Sequence, residues 1–527
     1  MKEIRVLDCT LRDGGYCNDC HFGFENEKYI VESLVQAGVD IVECGFLTQK
    51  VEYREDYSRY TSLDQIARIL PQDRQGKLFV VLMDYGTYNV ENLPNWDGSS
   101  VDGIRVTFHK KDLEPALVLA EKIKAKGYKV FLQPMVALSY TDREYLELIE
   151  KANALRPYAF YLVDSFGTMK RKDMLRFFYM IEHNLAEGIC VGFHSHNNLQ
   201  LAYANAQTLT DLQTSRSLII DSSIMGMGRG AGNLNSELFL DYLNDNAGGQ
   251  YQVKPLLRVI DRVLDGFYQQ NYWGYSLPNY LSASHNVHPN YALFLAEKNT
   301  LTVENMDKIF DAMAPEKRSS FDRAYMEELY LRYMDRSAGE DSMAALGQAV
   351  KGKRALVIAP GKSARVQKEE IAAFAREEDV VSVGVNFDYA YFATDYIFLS
   401  NLRRMEELGQ GYEDRLIVTS NIPDQGAKYH VGYAGLLSQP EAVRDNAGLM
   451  LIKLLIQLGV KEIWLAGMDG YSHDANENYV QEQMRMTAKN QTLDAMNQGM
   501  CQALGELAKQ VPIHFLTEPK YVTLGAN

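Results

Sequence analysis

Two histidines separated by one residue, His194 and His196, stand in the stretch GFHSHNNL. The preceding residues, 189–193, have the composition of a short buried strand, and alternate side chains of a strand project to the same face. If the strand continues, both imidazoles point the same way at its end, as in many metal sites. On spacing alone, two unrelated polar residues at a strand end are the simpler interpretation. The surrounding elements must therefore decide between a metal site and two unrelated polar residues.

β-Rich apolar runs alternate with amphipathic helical patterns over the first 250 residues. Strict alternation predicts right-handed βαβ units and a parallel sheet, and eight units of this size predict a (β/α)₈ TIM barrel in residues 1–250. An open doubly wound sheet is the competing architecture. The eight strand candidates are residues 4–8, 41–46, 78–83, 103–108, 129–135, 159–164, 189–194 and 218–225.

The pattern changes after the predicted barrel. Residues 251–345 form a helical segment, rich in Tyr and Met and interrupted by prolines, that we expect to pack on the barrel. Residues 353–527 again alternate strands and helices and predict a smaller, open, parallel, Rossmann-like α/β domain. The fold class is therefore α/β, with a barrel, a helical middle segment and a C-terminal open sheet.

Composition and net charge limit the classes of binding partner that we expect. The chain has 527 residues and a net charge of -15, which argues against nucleic acid or an anionic membrane surface as partner. It contains no apolar run long enough to span a bilayer and no targeting character at its start, so a cytoplasmic protein is expected. The six cysteines do not suggest a disulfide framework, and Cys17 and Cys20 are interpreted as reduced thiols.

Polar residues follow several strand candidates, and the carboxyl ends of barrel strands are where active sites form. Two histidines plus one carboxylate leave a divalent metal with open positions for substrate. Asp13 is the natural carboxylate, because it lies just past the first strand beside a glycine. Arg12 can hold an oxyanion through its planar guanidinium, and Glu43 is its carboxylate partner. The set suits stabilisation of an enolate.

Five motifs carry a family resemblance: VLDCTLRDGG, IVECGF, YLVDSFG, GFHSHNNLQLAYANA and GMGRGAGN. In this order and at these strand ends they resemble the DRE-TIM metallolyases, and most closely the 4-hydroxy-2-oxoacid aldolase branch. The resemblance covers residues 1 to about 250 well, 251–345 loosely, and the last 175 not at all. It implies a divalent metal, most commonly Mn²⁺ with Mg²⁺, Co²⁺ or Zn²⁺ as alternatives, and a homodimer.

The resemblance also assigns site residues. It implies that Asp13, His194 and His196 are metal ligands and that Asn233 is a further, weaker oxygen ligand. It implies that Arg12 stabilises a pyruvate enolate and that Glu43 orients this arginine.

The catalytic base departs from the family pattern. Where the aldolases have a histidine, this chain has Tyr16, and tyrosine is a poor base at neutral pH unless its pKa is shifted. Tyr16 with a depressed pKa, His21 or a metal-bound water could replace the histidine, or the substrate could differ. His288, in a proline-bent turn of the helical segment, could also reach the site as acid or base, or could simply pack between helices.

The C-terminal domain carries a weaker signal. Gly361, Lys362 and Ser363 follow a strand and open a helix, where exposed backbone amides favour phosphate. The loop is not a Walker A sequence, because Leu356 stands at the first glycine position. A nucleotide or phosphosugar is a candidate ligand, and a structural role is the alternative. The polar residues expected to line this crevice are Asn386, Ser400, Asn401 and Asp469.

We expect a metal-dependent pyruvate aldolase, a carbon–carbon lyase that cleaves or forms a 4-hydroxy-2-oxo acid from pyruvate and an aldehyde. The alternatives are a Claisen-type synthase that uses an acyl-CoA and a non-haem iron oxygenase, since two histidines and a carboxylate also serve iron. A catalytically idle barrel that supports a ligand-binding C-terminal domain is the non-enzymatic alternative.

Overall fold

A computed structural model describes residues 3–298, 301–334, 340–389, 393–408, 411–422, 426–480, 488 and 490–520. The chain forms two compact units. The first comprises Met1–Leu293 with Ala314–Phe321, and the second Phe294–Met313 with Asp322–Asn527. The segment from residue 251 onwards is thus divided between the two units.

The first unit is a closed parallel barrel. Its strands follow the order β1-β9-β8-β7-β6-β5-β4-β2, the pairing of β1 with β2 closes the circle, and the short β3 extends β2. The strands are β1 (Ile4–Asp8), β2 (Ile41–Leu47), β3 (Arg59–Tyr60), β4 (Leu78–Asp84), β5 (Gly103–Phe108), β6 (Lys129–Pro134), β7 (Ala159–Asp164), β8 (Cys190–Ser195) and β9 (Leu218–Ser222).

Helices alternate with these strands. α4 begins with a capping box, in which Thr141 and Glu144 each accept a hydrogen bond from the other's backbone N–H. α1 ends at Gly38, whose φ of +85° favours glycine. The helices are α1 (Phe24–Ala37), α2 (Leu63–Ala67), α3 (Leu113–Ala125), α4 (Asp142–Leu155), α5 (Arg171–Asn184), α6 (Ala202–Asp211), α7 (Ser236–Asn246), α8 (Lys254–Val259), α9 (Asp265–Gln270), α10 (Leu277–Ser284) and α11 (Pro289–Glu297).

Alternation along the strands separates two apolar layers. Val6 and Val42 pack in the large cluster that includes the helices, whereas Leu7 and Ile41 belong to a small cluster built largely from strand residues. The small cluster fills the barrel interior, as expected for a TIM barrel whose centre is packed rather than open. The polar site therefore has a rigid apolar floor.

The second unit contains an open parallel sheet with the strand order β14-β13-β12-β11-β10-β15-β16. The order reverses direction at β10, which places a crevice at the carboxyl ends of β10 and β15. Its strands are β10 (Arg354–Ile358), β11 (Val380–Val385), β12 (Tyr396–Leu399), β13 (Leu416–Thr419), β14 (Tyr429–Val431), β15 (Glu462–Ala466) and β16 (Ile513–Phe515). Its remaining helices are α12 (Val303–Asp311), α13 (Arg323–Met334), α14 (Glu340–Val350), α15 (Lys362–Val366), α16 (Lys368–Phe374), α17 (Leu402–Leu408), α18 (Ala447–Gln457) and α19 (Asn490–Leu507).

The predicted fold class is confirmed, with an N-terminal eight-stranded barrel and a separate C-terminal parallel sheet. The last barrel strand is shorter than predicted. It ends at Ser222, because Met225 has a left-handed φ of +58° and begins the turn into the glycine-rich loop. Within the described residues, no helix is both long and apolar enough to cross a membrane.

Candidate active site

Three potential metal ligands converge at the carboxyl end of the barrel. Asp13 follows β1, His194 lies on β8, and His196 comes one residue after that strand. One ligand atom of each residue lies within 4.8 Å of the other two, and all three side chains are buried. The structure thus brings together residues that are as much as 183 positions apart, and their ligand types suit a divalent cation.

The orientation of His194 is set from behind by a carboxylate. Nδ1 of His194 lies 3.0 Å from Oδ2 of Asp221, on the neighbouring strand β9. Because a carboxylate accepts a hydrogen bond, Nδ1 carries the proton and Nε2 is left with a free lone pair. A carboxylate behind a histidine in this way fixes the tautomer needed for metal ligation.

Two buried atoms beside the cluster have no hydrogen-bond partner among the described residues: His196 Nδ1 and Asn233 Oδ1. Asn233 is anchored through its other side-chain atom, since Nδ2 donates to Asp13 Oδ2 at 2.8 Å and to the carbonyl of Met227 at 3.1 Å. Unpartnered buried polar atoms are costly. A cation held by oxygen and nitrogen ligands would satisfy both, so the residues present fit a divalent metal.

The glycine-rich loop after β9 holds Asn233 against Asp13. A Cβ atom on Gly228 would lie 2.3 Å from Asn233 Nδ2 and 2.8 Å from Asp13 Oδ2. Gly232 has a φ of +81°, and a Cβ there would lie 2.0 Å from the carbonyl oxygen of Gly226. Glycine is therefore required at both positions for the loop to approach the site this closely.

A row of charged side chains lies buried beneath the three potential metal ligands. Arg12 donates through Nε to Glu43 Oε2 at 2.8 Å and through one terminal nitrogen to Asp13 Oδ1 at 2.6 Å. Arg105 reaches the same Glu43 oxygen at 2.7 Å and also pairs with Asp221. This row of charged side chains thus links Arg12 to Asp221, the carboxylate that orients His194.

This row of buried charged side chains leaves one negative charge uncompensated. Two guanidinium groups, Arg12 and Arg105, face three carboxylates, Asp13, Glu43 and Asp221, and all five side chains are buried. Buried charges without a counter-charge are strongly disfavoured. A divalent cation beside an anionic substrate would balance the site, which is a second observation in favour of a metal.

The electrostatic surroundings keep the ligands in the protonation states that a metal needs. Burial alone would raise the pKa of Asp13, but His196, Arg12 and His194 hold it well below its usual range. Burial lowers the pKa of His196 to about 4, despite the opposing charge of Asp13. At neutral pH the carboxylate is therefore ionised and the His196 imidazole is neutral.

A cavity of about 200 Å³ opens on this face of the barrel. Arg229, from the glycine-rich loop, lies over the ring of Tyr16 with 4.0 Å between the guanidinium carbon and the ring centre. Asp84 ends β4 within the lining, and burial raises its pKa against the opposing charges of Arg12 and Arg229. The lining residues are Tyr16, Phe46, Leu47, Thr48, Val51, Arg59, Asp84 and Thr87.

The predicted base candidates occupy different environments. Burial raises the pKa of Tyr16, with Arg229 opposing, so its phenol is protonated at neutral pH and can donate a hydrogen bond. His21 is exposed and stacks on Tyr57 with ring centres 4.7 Å apart, outside the buried cluster.

His288 lies closer to the barrel mouth, where the charges of Arg229, His109 and His196 act on it. Burial is the main cause that lowers its pKa, to about 3. Its Nδ1 accepts a hydrogen bond from the backbone N–H of Asn290 at 3.2 Å, so the ring proton is on Nε2. His288 is thus arranged as a neutral hydrogen-bond donor.

In the second unit, the loop at Gly361, Lys362 and Ser363 has partners of its own. The backbone N–H of Ser363 donates to Asp469 Oδ2 at 2.8 Å, and Lys362 pairs with Glu477 at 2.7 Å. The amide that would receive a phosphate therefore already binds a carboxylate of this chain. Nucleotide or phosphosugar binding at this loop stays a prediction.

The remaining crevice residues also bond within the second unit. Asn386 accepts from the backbone N–H of Ser400 at 3.1 Å, and Asn401 caps the helix that follows it by accepting from Arg403 at 3.0 Å. These side chains brace the loops at the carboxyl edge of the sheet.

Three residues of the barrel site escaped the sequence analysis: Asp84, Arg105 and Asp221. Arg105 and Asp221 stand inside the apolar strands GIRVTF and LIIDS, and charged residues are almost never fully buried unless paired. A search for opposite charges within buried strands could have found them. Asp84 could have been found as the carboxylate that ends the run LFVVLMD.

The N-terminal part of the chain is similar to known proteins. Residues 108–255 match the HMGL-like family model. The chain is 26% identical over 261 residues to the oxaloacetate decarboxylase of Mycobacterium tuberculosis, covering 49% of this chain and 75% of that protein. It is 28% identical over 270 residues to a 4-hydroxy-2-oxovalerate aldolase of Pelotomaculum thermopropionicum, covering 50% and 75%.

The solved structures similar to this chain include hydroxymethylglutaryl-CoA lyase from Pseudomonas aeruginosa, with a TM-score of 0.42 and 19% identity over 51% of this chain and 95% of that one. Both sequence relatives are matched over about half of this chain. The N-terminal barrel is therefore similar to the HMGL-like family, whose model matches residues 108–255 of this chain.

Proposed function

We propose that the barrel is a divalent-metal-dependent lyase that breaks the C3–C4 bond of a 2-oxo acid and leaves the enolate of pyruvate, with aldol cleavage of a 4-hydroxy-2-oxo acid as its reaction. The observation that carries the proposal is the convergence of Asp13, His194 and His196 beside the buried guanidinium of Arg12. Both sequence relatives are named for reactions of 2-oxo acids, which supports the same class.

Asp13, His194, His196 and Asn233 would hold the metal, with Mn²⁺ the first choice. A bound divalent cation would act as a Lewis acid that polarises the oxo group of the substrate. Arg12 would donate to the oxygen on which negative charge develops, because Glu43 and Asp13 hold its guanidinium rigidly in place. Such preorganisation requires no rearrangement during the reaction.

Asp84 is the residue we propose as the base. Its carboxylate lines the cavity, and burial raises its pKa, which makes it a stronger base than an exposed aspartate. Asp84 would take the proton of the 4-hydroxyl, the C3–C4 electrons would pass to the enolate, and C4 would leave as an aldehyde. Asp84 would then return the proton to C3, which gives pyruvate and restores the carboxylate.

Tyr16 and His288 would assist as hydrogen-bond donors, since each carries its proton at neutral pH in this structure. His21 is exposed, and we assign it no catalytic role.

The test is deuterium exchange. Protein loaded with Mn²⁺ is incubated with pyruvate in D₂O, and mass spectrometry follows deuterium in the methyl group. Enolate formation predicts exchange in the native protein and its loss in His196→Gln, whereas the exposed control His183→Gln should exchange normally. Absence of exchange in the metal-loaded native protein would contradict the proposal.

The partner reaction is identified with a substrate panel. Pyruvate release from 4-hydroxy-2-oxo acids supports the aldolase, whereas turnover of oxaloacetate alone supports a decarboxylase. Free CoA from acetyl-CoA and a 2-oxo acid would indicate the Claisen synthase, and oxygen consumption would indicate the oxygenase.

A further inference from the structure

We infer that the aldehyde half of the substrate carries its own anionic group, a carboxylate or a phosphate, and that Arg229 binds this group at the cavity beside the metal ligands. The inference rests on the proposed function and names the substrate class of that site. It is carried by the position, the contacts and the charge of Arg229.

Arg229 is placed by the loop that builds the site. It lies between Gly228, whose backbone packs against Asp13 and Asn233, and Gly230, which approaches the side chain of Asn198. The loop is fixed at Asn198, whose Oδ1 accepts from the backbone N–H of Ala231 at 2.9 Å. The Arg229 side chain therefore starts from a rigid position next to the metal ligands.

The guanidinium is held over the face of Tyr16 at 4.0 Å, and the other contact of that ring is edge-to-face with Phe46, with ring centres 5.7 Å apart. Tyr16 and Phe46 both line the cavity. A cation–π contact positions a guanidinium while leaving its N–H groups at the edge free for an acceptor. Arginine held in this way presents a planar fork that matches a carboxylate or a phosphate.

Within the described part of the chain, no hydrogen bond or ion pair of the Arg229 guanidinium is found, although the protein carries a net charge of -15. The two other arginines of this region are already paired, Arg12 with Glu43 and Asp13, and Arg59 with Asp19. Unlike Arg12 and Arg59, the Arg229 guanidinium thus remains available to a ligand.

Asp84 influences which aldehydes the cavity favours, neutral or anionic. Its carboxylate lines the same cavity and repels an anionic aldehyde, while burial lowers the pKa of His109 and of His288, so that these nearby histidines bring no positive charge at neutral pH. Without Arg229 the cavity would therefore favour neutral aldehydes. With it, an anion gains a charge-assisted hydrogen bond that a neutral aldehyde cannot make.

The experiment compares matched aldehydes in the condensation with pyruvate: 4-oxobutanoate against butanal for carboxylate, and glycolaldehyde phosphate against glycolaldehyde for phosphate. For at least one pair we expect the native protein to prefer the anion by about tenfold or more in kcat/KM. Arg229→Gln should reduce this ratio to near unity, and Arg229→Lys should retain part of it. Arg143→Gln, an exposed arginine on α4, is the control and should leave the ratio unchanged.

The pair that shows the preference identifies the anion as carboxylate or phosphate. A native protein with no preference in either pair, or an Arg229→Gln variant that keeps the full preference, would overturn the inference. Deuterium exchange into pyruvate separates this result from failure of the proposed function. If exchange is absent, calorimetric titration with 4-oxobutanoate and glycolaldehyde phosphate still decides, since the inference requires binding by the native protein and its loss in Arg229→Gln.

Discussion

His194 and Asp221 form a buried pair, with Nδ1 of the imidazole 3.0 Å from Oδ2 of the carboxylate. The same carboxylate accepts from Tyr161 through its other oxygen at 3.0 Å and pairs with Arg105. Burial alone would raise the pKa of Asp221, but Arg105 and His194 hold it below its usual range. The pair therefore ties the orientation of a candidate metal ligand, His194, to the buried charged residues inside the barrel.

Asp221→Asn should weaken metal binding, because the amide no longer fixes the tautomer of His194. We expect Mn²⁺ affinity to fall by about 10–100-fold. The variant should also be less stable by about 3–5 kcal/mol, since Arg105 loses a buried counter-charge. Calorimetric titration with Mn²⁺ and thermal unfolding measure the two effects, and the exposed Asp245→Asn on α7 is the control. Unchanged affinity would contradict the role of Asp221.

Arg12→Ala should lose most turnover, because the developing oxyanion loses its buried donor. Removal of one such donor typically lowers kcat by about 10²–10³-fold. The measurement is the steady-state rate of pyruvate release at saturating Mn²⁺, together with the Mn²⁺ affinity of the variant. If turnover stayed near normal, Arg12 would have no role in the chemistry.

Asp84→Asn should lower the rate of aldol cleavage by about 10²–10⁴-fold, the range for loss of a general base. Metal affinity should change little, because Asp84 is not among the residues that converge on the cation site. The comparison is kcat and Mn²⁺ affinity in Asp84→Asn against Asp112→Asn, a half-buried carboxyl that follows β5. Full activity in Asp84→Asn would transfer the base role to another group.

Gly228→Ala should damage the metal site without unfolding the barrel. The added Cβ would lie 2.3 Å from Asn233 Nδ2, closer than real contacts allow, so Asn233 or Asp13 must shift. We expect at least about tenfold weaker Mn²⁺ binding, as for loss of a supporting contact. Gly266→Ala on α9 is the matched control, because no atom lies within 4 Å of its Cβ position.

Glu27 provides a pH-dependent test of the fold. This buried carboxyl, on α1, accepts from the hydroxyl of Tyr60 at 2.7 Å, and burial raises its pKa to about 8 from an ordinary value of 4.5. The unfolded chain releases its proton above about pH 4.5, whereas the folded chain keeps it until about pH 8. The contribution of Glu27 to stability should therefore be greatest below about pH 4.5 and fall as the pH rises through this window.

Glu27→Gln removes this titration. The fall in the free energy of unfolding with pH, at most about 1.4 kcal/mol per pH unit in the native protein, should therefore be smaller in the variant. Thermal unfolding at pH 5 and pH 8 measures it, with the exposed Glu25→Gln in the same turn as control. If native protein and Glu27→Gln lost stability in parallel over this range, the protonated state of Glu27 would be excluded.

The sequence by itself determined the order of the elements. The strand candidates at residues 103–108 and 159–164 coincide with β5 and β7, because period-two patterning is a local property of the chain. The same patterning placed His194, and the turn after β1 placed Arg12 and Asp13, at the carboxyl edge of the barrel. Residues at strand ends could be predicted because parallel strands bring their ends together.

Only the tertiary structure decided which charges pair across the barrel and what faces the cavity. Arg105 and Asp221 are 116 positions apart, and Asn233 and Asp13 are 220 apart, so no local pattern couples them. Arg229 and Tyr16 come into contact because the glycine-rich loop folds back over the turn after β1. Such contacts depend on barrel closure and on the rotamers of buried side chains, which are set by packing among distant segments rather than by the residues beside them in sequence.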